Sequence, residues 1–378
     1  MRHPQHHIFD HSPDTLREWC AHRDLANYRA DQILDWIYGK GVGDPGAMSN
    51  LGKADRELLA REMTFGSGDV LAHQLATDGT QKLLVQWSDH AAPPDPSEPP
   101  AQAGGAGLHV LNTAPDPARQ TECVMIPSED ASGPRRTACI SSQIGCPVGC
   151  RFCASGLGGL DGNLSPGRIV EQVWRLARLP GVGRITNVVF MGMGEPLANM
   201  DAVVRAVRTI AAPWGLGISA RKITISTVGL PAAIEKLATR LDLPVTLALS
   251  LHAPNDTLRR ELIPWSEYTT IAGLLSACRA WFEKTGREIT LEYVLLGGVN
   301  DRTEHAAELA GLAKSLRANV NLIRYNEVGG LGYRRPETGD VREFQRILTQ
   351  RGVKAHIRAS RGRDIAAACG QLRHEAAT

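Results

Sequence analysis

The chain predicts an α/β fold in which parallel β/α units, closed as a barrel or left open as a partial one, follow a small, mainly helical N-terminal domain. Three observations carry this. After residue 120, short β-rich runs alternate with helical patterns, the signature of parallel strands joined by crossover helices. The ends of those runs collect glycines and polar residues, as the carboxyl ends of strands do in parallel folds. Residues 91–119 hold seven prolines and few bulky apolar side chains, too little buriable surface to offset ordering, and divide the chain as a mobile loop.

Before that loop, residues 12–21, 28–38 and 53–63 read as amphipathic helices and 82–87 as a strand, an accessory domain over residues 1–90. Beyond it, residues 120–378 are expected to form strands at 138–142, 187–191, 222–227, 245–251, 289–296, 320–324 and 354–358. Helices are expected between them at 166–178, 200–211, 232–239, 271–285, 303–316 and 341–351. Six to seven βα units fit this length. In chain order the strand ends present a cysteine-bearing loop, then Gly192-Met-Gly-Glu195-Pro196, Ser226-Thr227, Ser250-Leu-His252, Gly297-Gly-Val-Asn300 and Tyr325-Asn326-Glu327. One rim of a barrel would gather all six, which implies one active site.

At 378 residues and 43% hydrophobic content the chain suits a sizeable globular enzyme. A formal charge of +2 says little about partners, but residues 334–378 carry ten Lys or Arg against five Asp or Glu, a footprint suited to phosphate contacts. The polar, His-rich start lacks an apolar signal core and no stretch reaches the roughly 18 apolar residues of a membrane span, so a cytoplasmic protein is expected. Its eight cysteines do not resemble a secreted disulfide framework.

Three of them stand in Cys146-Pro-Val-Gly-Cys150-Arg-Phe-Cys153. This CxxxCxxC spacing supplies three thiolates from one short loop and leaves a cubic iron-sulfur cluster one ligand short, with an open iron where a cofactor can bind. Zinc is the alternative, but structural zinc usually draws on two spaced pairs or a Cys/His set, and no second pair lies nearby. The Gly192–Pro196 turn offers backbone amides, carbonyls and one carboxylate, an edge suited to an ammonium group. Its glycines do not make the dinucleotide fingerprint. Cys139 precedes the cluster loop and Cys369 lies near the C-terminus among Arg358, Arg361, Arg363 and Arg373, which would favour a thiolate. Cys20, Cys123 and Cys278 read as small buried apolar residues.

CxxxCxxC with Phe152 before its third cysteine, followed by a GEP motif, resembles the radical S-adenosylmethionine enzymes. Within them, Thr137-Ala-Cys139-Ile-Ser-Ser-Gln-Ile-Gly-Cys146, Met191-Gly-Met-Gly-Glu195-Pro196-Leu197, Ser250-Leu-His252-Ala-Pro-Asn255-Asp256 and Ala368-Cys369-Gly-Gln-Leu372 are similar to the RlmN/Cfr RNA adenine methyltransferases. Tyr28-Arg-Ala-Asp-Gln-Ile-Leu-Asp-Trp36-Ile-Tyr38 extends the resemblance into the accessory domain. It implies a radical S-adenosylmethionine partial parallel barrel of the (β/α)6 type and a 4Fe-4S cluster on Cys146, Cys150 and Cys153 that chelates the cofactor. Gly194 and Glu195 would hold the cofactor's ammonium end, and Ser226, Ser250, Leu251, His252 and Asn326 would line it.

The resemblance further implies two S-adenosylmethionine molecules per turnover. Cys369 would accept a methyl group, become S-methylcysteine and link to an adenine carbon as a radical. Cys139 would release the product by a transient disulfide, and Glu122 would accept a proton. The implied substrates are adenosine 2503 of 23S ribosomal RNA and, for the C2 enzymes, adenosine 37 of certain transfer RNAs. An electron donor is also required, and the enzyme is expected to be a monomer without membrane contact. A C8 methyltransferase with the same cysteines is the nearest rival, and a zinc-stabilised, non-catalytic RNA-binding protein is the rival from another class. Two departures bear on the target base: Arg324-Tyr-Asn326-Glu-Val-Gly-Gly-Leu-Gly-Tyr333-Arg-Arg335-Pro replaces the family's Pro-Trp-Asn-Pro pattern, and the insertion at 91–119 is unusual.

Overall fold

The computed structural model describes residues 1–89, 119–130 and 133–372. The segment 91–119 expected to form a loop lies outside these residues except for Arg119, as does Arg373. Among the described residues the N-terminal part opens with helices α1 (Pro13–Ala21), α2 (Tyr28–Leu34) and α3 (Lys53–Glu62). Ser12 caps α1, its hydroxyl accepting from the Thr15 amide while Thr15 reaches back to the Ser12 amide, and Pro13 supplies a preset first turn. The helix expected to run through Tyr38 changes character at Asp35, where a π-helical turn over Asp35–Gly39 takes over.

Next come β1 (Gly68–Leu75), β2 (Gln81–Trp87), β3 (Gln120–Asp130) and β4 (Gly133–Cys139), then the short β5 (Gln143–Gly145) and β6 (Leu160–Asn163). The remainder alternates: α4 (Pro166–Leu176), β7 (Asn187–Phe190), α5 (Met200–Ala211), β8 (Ile223–Thr227), α6 (Pro231–Arg240), β9 (Thr246–Ser250), α7 (Asp256–Leu262), α8 (Ile271–Thr285), β10 (Ile289–Leu295), α9 (Thr303–Lys314), β11 (Ala318–Arg324), α10 (Thr338–Gln350) and β12 (Ala355–Arg358).

A ten-stranded sheet runs β1-β2-β3-β4-β7-β8-β9-β10-β11-β12. From β4 onward each pairing is parallel. The parallel strands bury one face, with Val188, Phe190, Leu247, Leu249, Leu291 and Tyr293 in the core, while Thr224, Thr290, Glu292 and Asn321 on the other face line a cavity inside the barrel. The other side is antiparallel, β1 to β2 to β3 to β4. The strand before residue 90 and the barrel strands therefore share one sheet.

The first barrel strand ends at Cys139, and the cysteine loop does not follow it directly. Instead β5 and β6 form a separate antiparallel ribbon that holds residues 146–159 between its ends. At its mouth Gly145 has φ +71, and a Cβ there would stand 2.0 Å from the Gly159 carbonyl oxygen, so only glycine lets the ribbon close. Strands β1 and β3 were not expected. Most of β1 is exposed and lacks a buried alternating face, while β3 interrupts its apolar run with Glu122 and Pro127.

Candidate active site

The cysteine loop is held from three directions by four hydrogen bonds. The Cys146 amide donates to the Gly159 carbonyl (2.7 Å), the Arg151 amide to Leu262 at the end of α7 (3.0 Å), and the Ala154 amide to Gly370 (2.8 Å). The Ser155 hydroxyl donates to the Leu372 carbonyl at 2.6 Å. The last two bonds join the loop to the C-terminal segment, more than 200 residues away in sequence.

A cavity of about 130 Å³ results, whose lining includes Cys146, Cys150, Cys153, Gly194, Glu195, Ser226, Ser250, His252 and Cys369. The sequence-predicted residues thus come together in large part. Asn326 lines an adjoining cavity with Arg358 and Cys369. Leu251 is buried, and its carbonyl accepts from Arg259. Cys139 lies behind the wall, packed with Val189, Met193, Ala367 and Leu372. Glu122 stands furthest back, on β3, where its carboxylate pairs with Lys82 at 2.6 Å. Lys82 also donates to the Ala366 carbonyl, so this ion pair touches the segment that bears Cys369.

Burial dominates the thiols. It pushes Cys146 up to about 12 and Cys150 well above the usual thiol range, with the neighbouring cysteines adding to the rise. Burial also raises Cys153, partly opposed by hydrogen bonds from Ser155. Cys139 is pushed up to about 12, first by burial and then by proximity to Cys369. Cys369 is exposed, but into the cavity and against surrounding protein; burial raises it despite the opposing pull of Arg358. The expected thiolate-favouring effect of nearby arginines is therefore present at Arg358 and outweighed.

The Gly192–Pro196 turn differs from the open edge expected. The Gly192 amide donates to Ile140, that of Met193 to the Ser141 hydroxyl, and that of Glu195 to the Gln143 side chain. Gly194 adopts φ +99 so closely against Gln143 that a Cβ would stand 2.6 Å from its side chain. The buried Glu195 carboxylate accepts from the Leu197 amide (2.9 Å) and the Val228 amide (2.8 Å). Burial raises it even so. Further polar groups sit on neighbouring strand ends: the Ser226 and Ser250 hydroxyls are 3.2 Å apart.

His252 occupies the left-handed region at φ 56, a strained conformation for a residue with a side chain. Two contacts hold it: its carbonyl accepts from Asn300 (2.9 Å), and its Nδ1 accepts from the Val294 amide (3.1 Å). Burial lowers the ring to about 3, so it is neutral at pH 7, and occupation of Nδ1 as acceptor leaves the proton on Nε2. Phe152 meets it edge-on at 5.1 Å.

Three soft thiols from one loop suit an iron-sulfur cluster. Among the described residues no three or more His, Cys, Asp and Glu side chains gather closely enough for a single metal ion. The three thiols instead border a cavity with room for a larger group. Sequence reading missed Arg259 and Glu292. Arg259 lies under the rim, and Glu292 lines the cavity from β10. Arg259 shares a buried helical face with Leu262, three positions on, a periodicity that could have exposed it.

This arrangement of a parallel barrel and a three-cysteine loop at its rim defines a radical S-adenosylmethionine enzyme, and residues 140–310 match the Radical SAM superfamily. Residues 6–64 match the ribosomal RNA large subunit methyltransferase N-terminal domain. The chain is 40% identical to a probable dual-specificity RNA methyltransferase RlmN of Rhodopirellula baltica, covering 98% of this chain and 91% of the relative. It is 41% identical to the protein of that name from Gloeobacter violaceus, over 97% of this chain and 94% of the relative. A radical SAM methyltransferase from Sphaerobacter thermophilus superposes with a TM-score of 0.85 at 38% identity, covering 98% of this chain and 100% of that one. The chain belongs to the RlmN family of radical SAM RNA methyltransferases. That family membership implies a 4Fe-4S cluster and S-adenosylmethionine, and it sets aside the zinc-stabilised, non-catalytic alternative.

Proposed function

We propose that this chain methylates C2 of adenine in RNA, at adenosine 2503 of 23S ribosomal RNA and at adenosine 37 of transfer RNA, through S-methylcysteine at Cys369. The observation that carries this reading is that Cys369 opens into the cavity bordered by Cys146, Cys150 and Cys153. The match of residues 6–64 to a ribosomal RNA methyltransferase domain supports the ribosomal substrate, and the dual-specificity name of the relatives supports a second one. A reducing, cytoplasmic setting suits the free thiols. Among the described residues no helix is long and apolar enough to cross a membrane. The protein acts as a monomer with an electron donor.

Cys146, Cys150 and Cys153 hold the cluster. Glu195, with the Gly194 backbone, receives the ammonium end of S-adenosylmethionine; Ser226, Ser250, Leu251, His252 and Asn326 flank the rest, His252 offering its Nε2 hydrogen. When bound, the cluster would supply an electron and S-adenosylmethionine a deoxyadenosyl radical able to take a hydrogen atom from the methyl on Cys369. Two cofactor molecules serve each turnover, the first as methyl donor to Cys369. The Cys369-borne carbon bonds to the adenine; one electron would return to the cluster that had supplied one, and loss of the ring proton leaves a thioether link. Glu122 accepts the proton. The Cys139 sulfur then attacks the Cys369 sulfur, the carbon–sulfur bond breaks toward carbon, and protonation completes the methyl group. A dithiol reductant restores both thiols. The buried packing of Cys139 against Ala367 and Leu372 suits this exchange, because the partner thiol is kept at hand and away from solvent.

The test is a pair of variants on anaerobically reconstituted enzyme. Cys139→Ala is expected to accumulate a protein–RNA crosslink, and Cys369→Ala to lose methylation without one. Nucleoside mass spectrometry is expected to show 2-methyladenosine. Appearance of 8-methyladenosine alone would reassign the carbon, and normal turnover by Cys139→Ala would remove its role.

A further inference from the structure

Arg259 is 1% exposed, one of the largest fully buried side chains in the molecule. A buried guanidinium costs free energy unless charge or hydrogen bonds compensate it. Its partners fall short of that. Nε donates to the Leu251 carbonyl at 3.2 Å, and Nη2 donates to Val228 and more weakly to Ser250 at 3.4 Å. Nη1 is buried and has no hydrogen-bond partner among the described residues. Among the described residues no carboxylate forms an ion pair with it within 4.0 Å.

The helix that carries it lies against the cysteine loop. Helix α7 carries Arg259, and its last residue, Leu262, accepts the amide hydrogen of Arg151, between Cys150 and Cys153. Leu258 and Leu262, which flank Arg259 on α7, pack in one apolar cluster with Cys146, Cys150 and Cys153, and both Cys150 and Asp256, one turn back on the same helix, favour the charged guanidinium. Val228, Ser250 and Leu251, whose carbonyls hold the guanidinium, are the strand ends that flank the proposed cofactor. A fixed cation in a low-dielectric setting interacts strongly with neighbouring charge.

We propose that Arg259 is a positioning residue that raises the reduction potential of the cluster held by Cys146, Cys150 and Cys153. The inference rests on those three cysteines holding the cluster. A cluster becomes more negative by one charge when it accepts an electron, so a buried cation beside one of its thiolates stabilises the reduced form over the oxidised one. Removal of the cation therefore makes reduction harder. Because the guanidinium also ties Val228, Ser250 and Leu251 together, charge and hydrogen bonding must be separated experimentally.

Anaerobically reconstituted wild type, Arg259→Lys, Arg259→Gln and Arg259→Met are compared by redox titration monitored by electron paramagnetic resonance, with iron counted per chain. At the potential that half-reduces the wild type, the neutral variants are expected to show a reduced-to-oxidised ratio at least tenfold lower, a midpoint about 59 mV more negative for a one-electron couple. Arg259→Lys is expected to stay within threefold of the wild type. Should Arg259→Met not accumulate as folded protein, Arg259→Gln, which keeps donors toward the same carbonyls, carries the comparison. Neutral variants that bind iron and titrate with the wild type overturn the proposal. So does a lysine variant that falls as far as the neutral ones. A wild type that binds no iron instead overturns the cluster assignment beneath it.

Discussion

Two buried carboxylates, Glu171 and Glu195, face opposite demands. Glu171 lies on α4 where the N-terminal segment packs against the barrel. It accepts from His7 (2.9 Å), from the Ser67 amide and hydroxyl (both 3.0 Å) and from Arg175 (2.6 Å). Burial by itself would raise it, but the His7 hydrogen bond and the His7 and Arg175 charges bring it down to about 2. Among the described residues Glu195 accepts only from the Leu197 and Val228 amides and the Thr227 side chain, and burial prevails and raises it. The difference separates joinery from a receptor. A carboxylate surrounded by cations is already satisfied, whereas one that meets only neutral donors remains able to gain from an incoming ammonium group.

The largest expected effect comes from breaking the satisfied network. Glu171→Ala leaves Arg175 and His7 without their shared partner and should cost about 3–5 kcal/mol in urea unfolding, the range for breaking a buried pair. A loss under about 1 kcal/mol would show that the network is not cohesive. Gly194→Ala should cost about 1–3 kcal/mol through its backbone conformation alone, and the displaced turn should also weaken S-adenosylmethionine binding. An unchanged melting curve for this variant would mean that the Gln143 contact yields easily.

Glu195→Gln is a smaller structural change. Burial already disfavours the charged form, so unfolding should move little while cofactor affinity falls about tenfold, or about 1.4 kcal/mol. Unaltered affinity, measured by equilibrium binding to reconstituted protein, would remove Glu195 from the ammonium site. The pH profiles sharpen the contrast most finely, because the signs differ. Glu171, depressed in the fold, contributes stability that is complete above the ordinary carboxyl range and is lost as pH falls toward about 2. Glu195, raised in the fold, contributes a loss that develops as pH rises above that ordinary range. Glu171→Gln should therefore flatten the acid limb of stability against pH, and Glu195→Gln the fall above it; identical profiles for the two variants would contradict the comparison.

Legibility from sequence followed the range of the interactions. The parallel strands were legible because each is a short β-rich run set between helical patterns. The cysteine loop and the Gly192–Pro196 turn were legible because each is a contiguous stretch. β3 was not, since Glu122 breaks its apolar run and becomes intelligible only once Lys82 stands across the sheet. The use of the Gly192–Glu195 amides was also hidden, because their partners Ile140, Ser141 and Gln143 belong to another strand end. Arg259 and its exposed neighbour Arg260 look alike in sequence; the helical face they occupy tells them apart.

Local spacing by itself determined three thiols within one loop, the βα alternation and the family resemblance, since each depends on residues near one another in the chain. Only the tertiary structure decided that Cys369 opens into the cavity of those thiols, that Cys139 packs behind it, and that a buried cation stands on the helix packed against the cysteine loop. These are contacts between distant segments, joined by the Ala154–Gly370 and Ser155–Leu372 hydrogen bonds and by the packing of the sheet ends. Long-range burial and pairing depend on how the whole chain closes, and no short window of sequence contains that information.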